Sequence, residues 1–361
     1  MQRLVAWKTR GSLHDNSRHI KLFKKQILHK EFIGHPFNSE FDASGEEIKY
    51  IGPITPKSYK SLAEEIIGSE VDATNKELYD TNTSQKLSSE EIIQMRNKGI
   101  VGKELVKEIL KNSTTFDKKT VYSQAKYIGK KEKKYVKKIF VYSPTVYLLA
   151  QHYLNHMPGK IGFIRFDTLG LMLHVGDVQP GNRIIINETT SGLLLAAAIE
   201  RMGGVGAIQY VFDDKPDIEI LSRLNPSNYV ERIITMTNMK LLIEPPEPTP
   251  VNTLLNKVLE PKGGHGLLIA NLKYHPIDLL KILWKRLSKS GAFTIYHQYL
   301  QVLVDTKAFI EENKLAVYIH LEELWLRQYQ VLKERTRPQM KNEHAAGGYI
   351  LYGYKVNELF I

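Results

Sequence analysis

Glu188-Thr189-Thr190-Ser191-Gly192 is the stretch whose residue types come nearest to ligand chemistry. It joins Arg183–Asn187, a β-branched run that reads as a buried central strand, to Leu193–Met202, a Leu- and Ala-rich run that reads as a buried helix stopping at Gly203-Gly204. In an open α/β sheet such a strand-to-helix turn is where nucleotides bind, because the first N–H groups of the helix lack partners within it. A turn that cradles a ligand needs an acidic residue followed by spaced glycines, which adopt positive φ and let backbone come close. Here Glu188 and Gly192 are present, but Thr189, Thr190 and Ser191 fill the middle. β-Branched residues tolerate positive φ poorly, and these side chains stand where the adenosine or methionine atoms of S-adenosylmethionine would lie. The expectation is a degenerate turn that binds no cofactor. Asp213 and Asp214, at the end of the strand Ala207–Phe212, offer a carboxylate for ribose hydroxyls. Beside Lys215-Pro216 they read more simply as a surface turn.

The acceptor side offers less. Moving a methyl group onto a ring nitrogen of adenine needs a group that orients the base and takes its proton. The place for it is the end of the later strand, at Asn271-Leu272-Lys273-Tyr274-His275-Pro276, which holds no acid. Asn271 cannot act as a base, and His275 before a proline reads as a turn residue. Other chemistries leave no trace: there is no P-loop, no G-x-S-x-G and no H-E-x-x-H, and Gly263-Gly264-His265-Gly266 is a plain glycine-rich turn. With no cysteine in 361 residues, disulfides, cysteine nucleophiles and Cys-ligated zinc are excluded. No metal site is expected.

The other chemical signal is charge. The net charge is +11, and residues 118–138, KKTVYSQAKYIGKKEKKYVKK, hold nine lysines and one glutamate. Such clustering is an electrostatic footprint for a polyanion. Lys118, Lys119, Lys126, Lys130, Lys131, Lys133, Lys134 and Lys137 suit phosphate contacts, while Tyr122, Tyr127 and Tyr135 offer rings for unpaired bases. A solvated face or a nuclear-import signal are the other readings of the run. No apolar run approaches bilayer length, so no membrane association is expected, and the chain reads as soluble and intracellular.

The elements that must position these residues follow from patterning. In residues 1–70, Ile20–Phe23, Phe32–Gly34 and Glu47–Ile51 read as strands between turns at His35–Asn38 and Asp42–Gly45. Residues 68–86 are polar and read as a linker. Ser88 with Glu91 is a capping box that opens a short helix to about Asn97, followed by a helix over Lys103–Leu110. Ser143-Pro144 reads as the N-cap and first position of a helix to about Asn155. From about Ile161 strands alternate with helices: Tyr229–Leu242 holds a strand, Gly266–Asn271 and Phe293–His297 are strands, and Ile277–Leu287 and Leu300–Asn313 are helices. Ala316–Leu321 and Gly348–Tyr354 close the series. This alternation predicts an α/β fold with a mostly parallel, doubly wound sheet behind a β-rich N-terminal region.

Several stretches together resemble the non-catalytic subunits of the eukaryotic tRNA (adenine-58-N1)-methyltransferase. They are LSSEEIIQMRNKGIVGKELVKEIL (87–110), FDKKTVYSQAKYIGKKEKKY (116–135), RFDTLGLMLHVGDVQPGNRIIINETTSGLLLAAAIERMGGVG (165–206), EPPEPTP and the closing RTRPQM…GGYILYGYKV. The resemblance implies an N-terminal β-rich, barrel-like domain with a polar linker (1–85), a helical, lysine-rich tRNA-binding segment (86–142), and a methyltransferase-like Rossmann domain that is catalytically degenerate (143–361). It implies no catalytic residue and no cofactor in this chain, with S-adenosylmethionine in a paralogous catalytic partner. It further implies a heterotetramer of two plus two subunits, tRNA as a ligand and a nuclear location. Arg327, Arg335 and Arg337 join the lysines as tRNA contacts by resemblance; Arg337 stands before Pro338 where that family commonly has His. The residues alone leave two other readings open: an active S-adenosylmethionine-dependent RNA methyltransferase, or an RNA-binding scaffold of a translation complex.

Overall fold

A computed structural model describes residues 2–5, 19–23, 25–59, 61–66, 86–117, 121–224, 233–243, 263–327, 329–331, 336–338 and 347–359. The described residues fall into two compact units, one up to Ser143 and one from Pro144.

The first unit contains β1 (Gln2–Val5), β2 (His19–Leu22), β3 (Lys25–Leu28), β4 (Ser39–Asp42), β5 (Lys49–Pro53) and β6 (Lys138–Tyr142). Its helices are α1 (Leu62–Ile66), α2 (Ser89–Asn97), α3 (Gly102–Lys111) and α4 (Val121–Tyr135). The sheet order is β1-β6-β4-β5, while β2 and β3 form a separate antiparallel ladder. Among the described residues β1 and β5 are the outer strands of that sheet. Residues 86–142 belong to this unit. Its last strand, β6, lies between β1 and β4, and Ile139 and Val141 pack with Phe41 and Ile27. Lys138 reads from sequence as the tail of the lysine run. Instead it is nearly buried, ion-paired to Glu40 at 2.8 Å and donating to the Ser58 carbonyl at 3.1 Å.

Phe32–Gly34, expected as a strand, is a turn. The Ile33 N–H donates to the Lys30 carbonyl, and its side chain is 61% exposed, without the sheet partner that would bury it. The linker expected at 68–86 lies, up to 85, outside the described residues. The capping box is formed: the Glu91 N–H donates to Ser88 Oγ at 3.1 Å and the Ser88 N–H to Glu91 Oε2 at 2.7 Å. Leu62, Val106, Leu110, Phe116 and Ile128 bind α1, α3 and α4 into one apolar cluster.

The second unit has β7 (Arg183–Glu188), β8 (Ala207–Phe212), β9 (Ile234–Asn238), β10 (Gly264–Ala270), β11 (Leu287–His297), β12 (Ala316–Glu323), β13 (Tyr329–Gln330), β14 (Arg337–Pro338) and β15 (Tyr349–Lys355). Its helices are α5 (Val146–His156), α6 (Phe166–Val175), α7 (Leu193–Met202), α8 (Glu219–Arg223), α9 (Lys240–Ile243), α10 (Pro276–Leu283) and α11 (Leu300–Glu312). Seven strands form one sheet in the order β12-β15-β11-β10-β7-β8-β9, parallel throughout except for β15, which runs against both neighbours. This is the expected mostly parallel, doubly wound sheet. The strand order reverses between β7 and β10, and a crevice belongs at their carboxyl ends. β7 buries Ile184–Ile186 and α7 buries all of Leu193–Ile199, as befits a strand and helix enclosed on every side.

Two boundaries differ from expectation. The N-cap of α5 is Thr145, whose Oγ1 accepts the Leu148 N–H at 3.3 Å, so Ser143-Pro144 precedes the helix. The helix expected over Ile277–Leu287 ends at Leu283 and tightens into a 3₁₀ turn over Trp284–Arg286. The buried ammonium of Lys355 holds that end, donating to the Trp284 carbonyl at 2.9 Å and the Leu287 carbonyl at 2.7 Å.

Candidate functional site

β7 delivers Glu188 to the start of α7, where its carboxylate is buried. It accepts the N–H of Leu195 at 2.8 Å, that of Leu194 at 3.1 Å and the Thr190 hydroxyl. The Leu193 N–H goes to the Thr190 carbonyl. The first three N–H groups of α7, which would meet a bound anion, are thus taken by the chain itself. Burial pushes the Glu188 carboxyl up to about 7, with the three hydrogen bonds opposing that rise.

The turn closes from the other side as well. Positive φ falls on Ser191 (55°) and Gly192 (80°), not on the threonines. The objection that β-branched residues are strained here does not apply; their hydroxyls fill the turn instead. Thr190 serves Glu188, and Thr189 Oγ1 accepts the Leu272 N–H at 3.0 Å. Ser191 Oγ donates to Asp217 Oδ2 at 2.9 Å, and its carbonyl accepts the Ile220 N–H at 2.9 Å. A Cβ on Gly192 would stand 2.9 Å from Ile218 Cα, so main chain 217–218 lies directly across the turn.

Asp213, at the end of β8, is bound by the Lys273 ammonium and by the Tyr274 hydroxyl at 2.6 Å. Those bonds, Lys273 first, hold its carboxyl below the usual range. It is therefore no simple surface turn: it ties the end of β8 to the end of β10. Asp214 does fit that reading, in an exposed pair with Lys240 at 2.9 Å.

At the end of β10, Asn271 Nδ2 donates to Asn187 Oδ1 at 2.8 Å, and Asn271 Oδ1 accepts the N–H groups of Lys273 at 2.9 Å and Tyr274 at 3.2 Å. His275 caps α10, its Nδ1 accepting the Ile277 N–H at 3.3 Å. One titratable group here has no sequence signal beyond its place as the last residue of a strand. His297 is buried at the end of β11, its Nδ1 accepts the Tyr299 N–H at 3.1 Å, and burial lowers its pKa. Around the turn, the first N–H groups of α7, the Thr and Ser hydroxyls and the Asp213 carboxylate all have partners within the chain.

The lysine run forms α4. Gln124 and Ile128 are buried, and the Gln124 amide donates to the Phe116 carbonyl at 3.1 Å. Lys126, Lys130, Lys133 and Lys134 are exposed on the opposite face. Lys131 and Lys137 are half-buried, their ammonium groups 5.2 Å from the Tyr127 ring centroid and 5.9 Å from that of Phe23. Tyr127 and Tyr135 pack against the cluster around Ile128 instead of presenting free rings, as the apolar stripe of the helix requires. Lys118, Lys119 and Arg335 lie outside the described residues, as does the side chain of Tyr122. Arg327 and Arg337 are exposed in the second unit, Arg337 opposite Gln330 in the β13–β14 ladder.

The model of the Gcd10p family matches residues 12–262. A Dictyostelium discoideum protein named tRNA (adenine(58)-N(1))-methyltransferase non-catalytic subunit trm6 is 30% identical over 94% of this chain and 74% of its own. The Mus musculus protein of that name is 30% identical over 92% of this chain and 83% of its own. A solved S-adenosylmethionine-dependent O-methyltransferase from Thermotoga maritima is similar over 63% of this chain and 75% of its own, with 16% identity and a TM-score of 0.46.

Proposed function

Because this chain belongs to the Gcd10p family, we propose that it is the non-catalytic, tRNA-binding subunit of a tRNA (adenine(58)-N1)-methyltransferase. It positions tRNA and completes the active site of a paralogous catalytic subunit. The observation that carries the reading is the spent carboxylate of Glu188, which already binds the first turn of α7 through Leu194 and Leu195. A crevice closed in this way supports a chain without cofactor, with S-adenosylmethionine held by the partner. The basic face of α4, with Arg327 and Arg337 in the other unit, supplies cations for tRNA. A two-plus-two heterotetramer and a nuclear location, served by the lysine run as an import signal, complete the proposal.

Calorimetry with S-adenosylmethionine tests it. The chain alone gives no binding heat, and the complex with a co-expressed catalytic paralogue binds the cofactor and methylates tRNA. The paralogue without this chain is inactive. Micromolar, 1:1 binding to the isolated chain would overturn the cofactor-free reading in favour of an S-adenosylmethionine-dependent methyltransferase. Recovery with translation factors and no methyltransferase subunit would make it a scaffold.

A further inference from the structure

Within α4 the exposed lysines follow the helical repeat. Lys126, Lys130, Lys133 and Lys134 sit at i, i+4, i+7 and i+8 on the side opposite buried Ile128. A rise of about 1.5 Å per residue separates Lys126, Lys130 and Lys134 by about 6 Å each, near the separation of neighbouring phosphates along one strand. None of the four forms an ion pair among the described residues. Glu132, the acid within the helix, is turned inward, its Oε2 accepting the Leu62 N–H at 3.3 Å.

Gly129 lies on the same surface, one turn from both Lys126 and Lys133. Glycine inside a helix costs stability, and its missing Cβ lets another surface come close to the backbone. Among the described residues nothing makes that approach: a Cβ at Gly129 would meet none of their atoms within 4 Å, and the residue is exposed. The described tyrosines of α4 do not offer a stacking platform. Tyr127 and Tyr135 are packed on the cluster around Ile128, and the ammonium groups of Lys131 and Lys134 lie 5.2 and 5.1 Å from their ring centroids. Single-stranded nucleic acid is held largely by stacked bases, whereas double-helical RNA is held through phosphates and shape.

We propose that this face of α4 seats the sugar–phosphate backbone of a double-helical RNA segment, with Gly129 as the point of closest approach. The proposal rests on the tRNA-binding reading and deepens it. The lysines hold a paired stem, independent of its sequence, and read no bases.

The test uses the full chain and three probes: an unmodified tRNA transcript, an RNA duplex of roughly 16 base pairs, and a single-stranded oligouridylate of equal length. Wild type is expected to prefer the duplex to the oligouridylate. Replacing the four lysines by Gln removes about four phosphate contacts, so between about 50 and 200 mM salt the wild-type duplex affinity falls about 10²-fold further than that of the variant. The four-Arg variant keeps duplex binding. Gly129→Ala raises the melting temperature yet weakens duplex binding several-fold, and Gly129→Leu weakens it more. That combination separates contact from misfolding. An oligouridylate affinity equal to that of the duplex, or a Gly129→Ala chain with undiminished duplex affinity, would overturn the proposal. If wild type and the four-Gln variant bind tRNA equally well, the α4 seat is wrong while the tRNA-binding reading stands. If wild type binds no tRNA, both fall.

Discussion

At the carboxyl ends of β7 and β8 the carboxylates are answered from within the chain, Glu188 by α7 and Asp213 by Lys273 and Tyr274. On the outer face of α4, Lys126, Lys130, Lys133 and Lys134 meet no carboxylate among the described residues. The two regions show what becomes of polar groups under different pressures. In a buried crevice an unanswered carboxylate is costly, and here groups of the chain itself answer it. On an exposed helix face an ammonium group stays hydrated at little cost to folding, and remains available to a polyanion.

The sharpest test of that contrast is one substitution made in both places. Gly192→Ala puts a Cβ against Ile218 Cα at a φ of 80° and is expected to destabilise the second unit by about 3–4 kcal/mol in urea unfolding. An unchanged midpoint would mean that main chain 217–218 does not seal the turn.

Acidity gives the next largest effect. The Glu188 carboxyl is raised from 4.5 to about 7 in the folded chain, so between those values the folded state binds more protons than the unfolded one. Stability is therefore greatest below pH 4.5 as far as this group is concerned, and it falls by about 3 kcal/mol as pH rises through 7. Unfolding curves from pH 5 to 8 should show this slope in wild type and lose it in Glu188→Gln. A slope common to both chains would place the titration elsewhere.

Two lysines of the same run then divide the exposed region from the interior. Lys138→Met leaves Glu40 nearly buried without its partner and should cost about 2 kcal/mol, whereas Lys130→Met should stay within about 0.5 kcal/mol. Equal effects would erase the distinction drawn between β6 and α4. The smallest change has the opposite sign: Gly129→Ala should stabilise by about 0.5–1 kcal/mol, read as a rise in melting temperature.

Local signals carried a good part of this molecule. The Ser88–Glu91 capping box, the strand and helix around Glu188 and the alternation of the second unit are all written in short-range patterns, because caps and periodicities involve neighbours in sequence. What escaped depends on distant partners. β6 looks like the tail of a charge run, since its sheet neighbours lie far upstream, β4 at Ser39–Asp42 and β1 at Gln2–Val5. The Lys273–Asp213 pair spans sixty residues and leaves no motif. The filled turn was legible in Thr189, Thr190 and Ser191, but the means was not: strain is absent from the threonines, and the seal comes from main chain 217–218. Thr145 and Ser143 are both good caps, and only the placement of α5 chooses between them.

The late strand β15 has a consequence for synthesis. It is inserted between β11 and β12, although both precede it in the chain. A nascent chain that has reached Glu323 therefore holds six of the seven strands of this sheet, and β12 still has no neighbour to bind. Until residues 349–355 leave the ribosome, the flank of β11 and the whole of β12 are unpaired edges, open to chaperones and to premature association. A stop codon just upstream of Tyr349 would thus remove the middle of a sheet, not its margin.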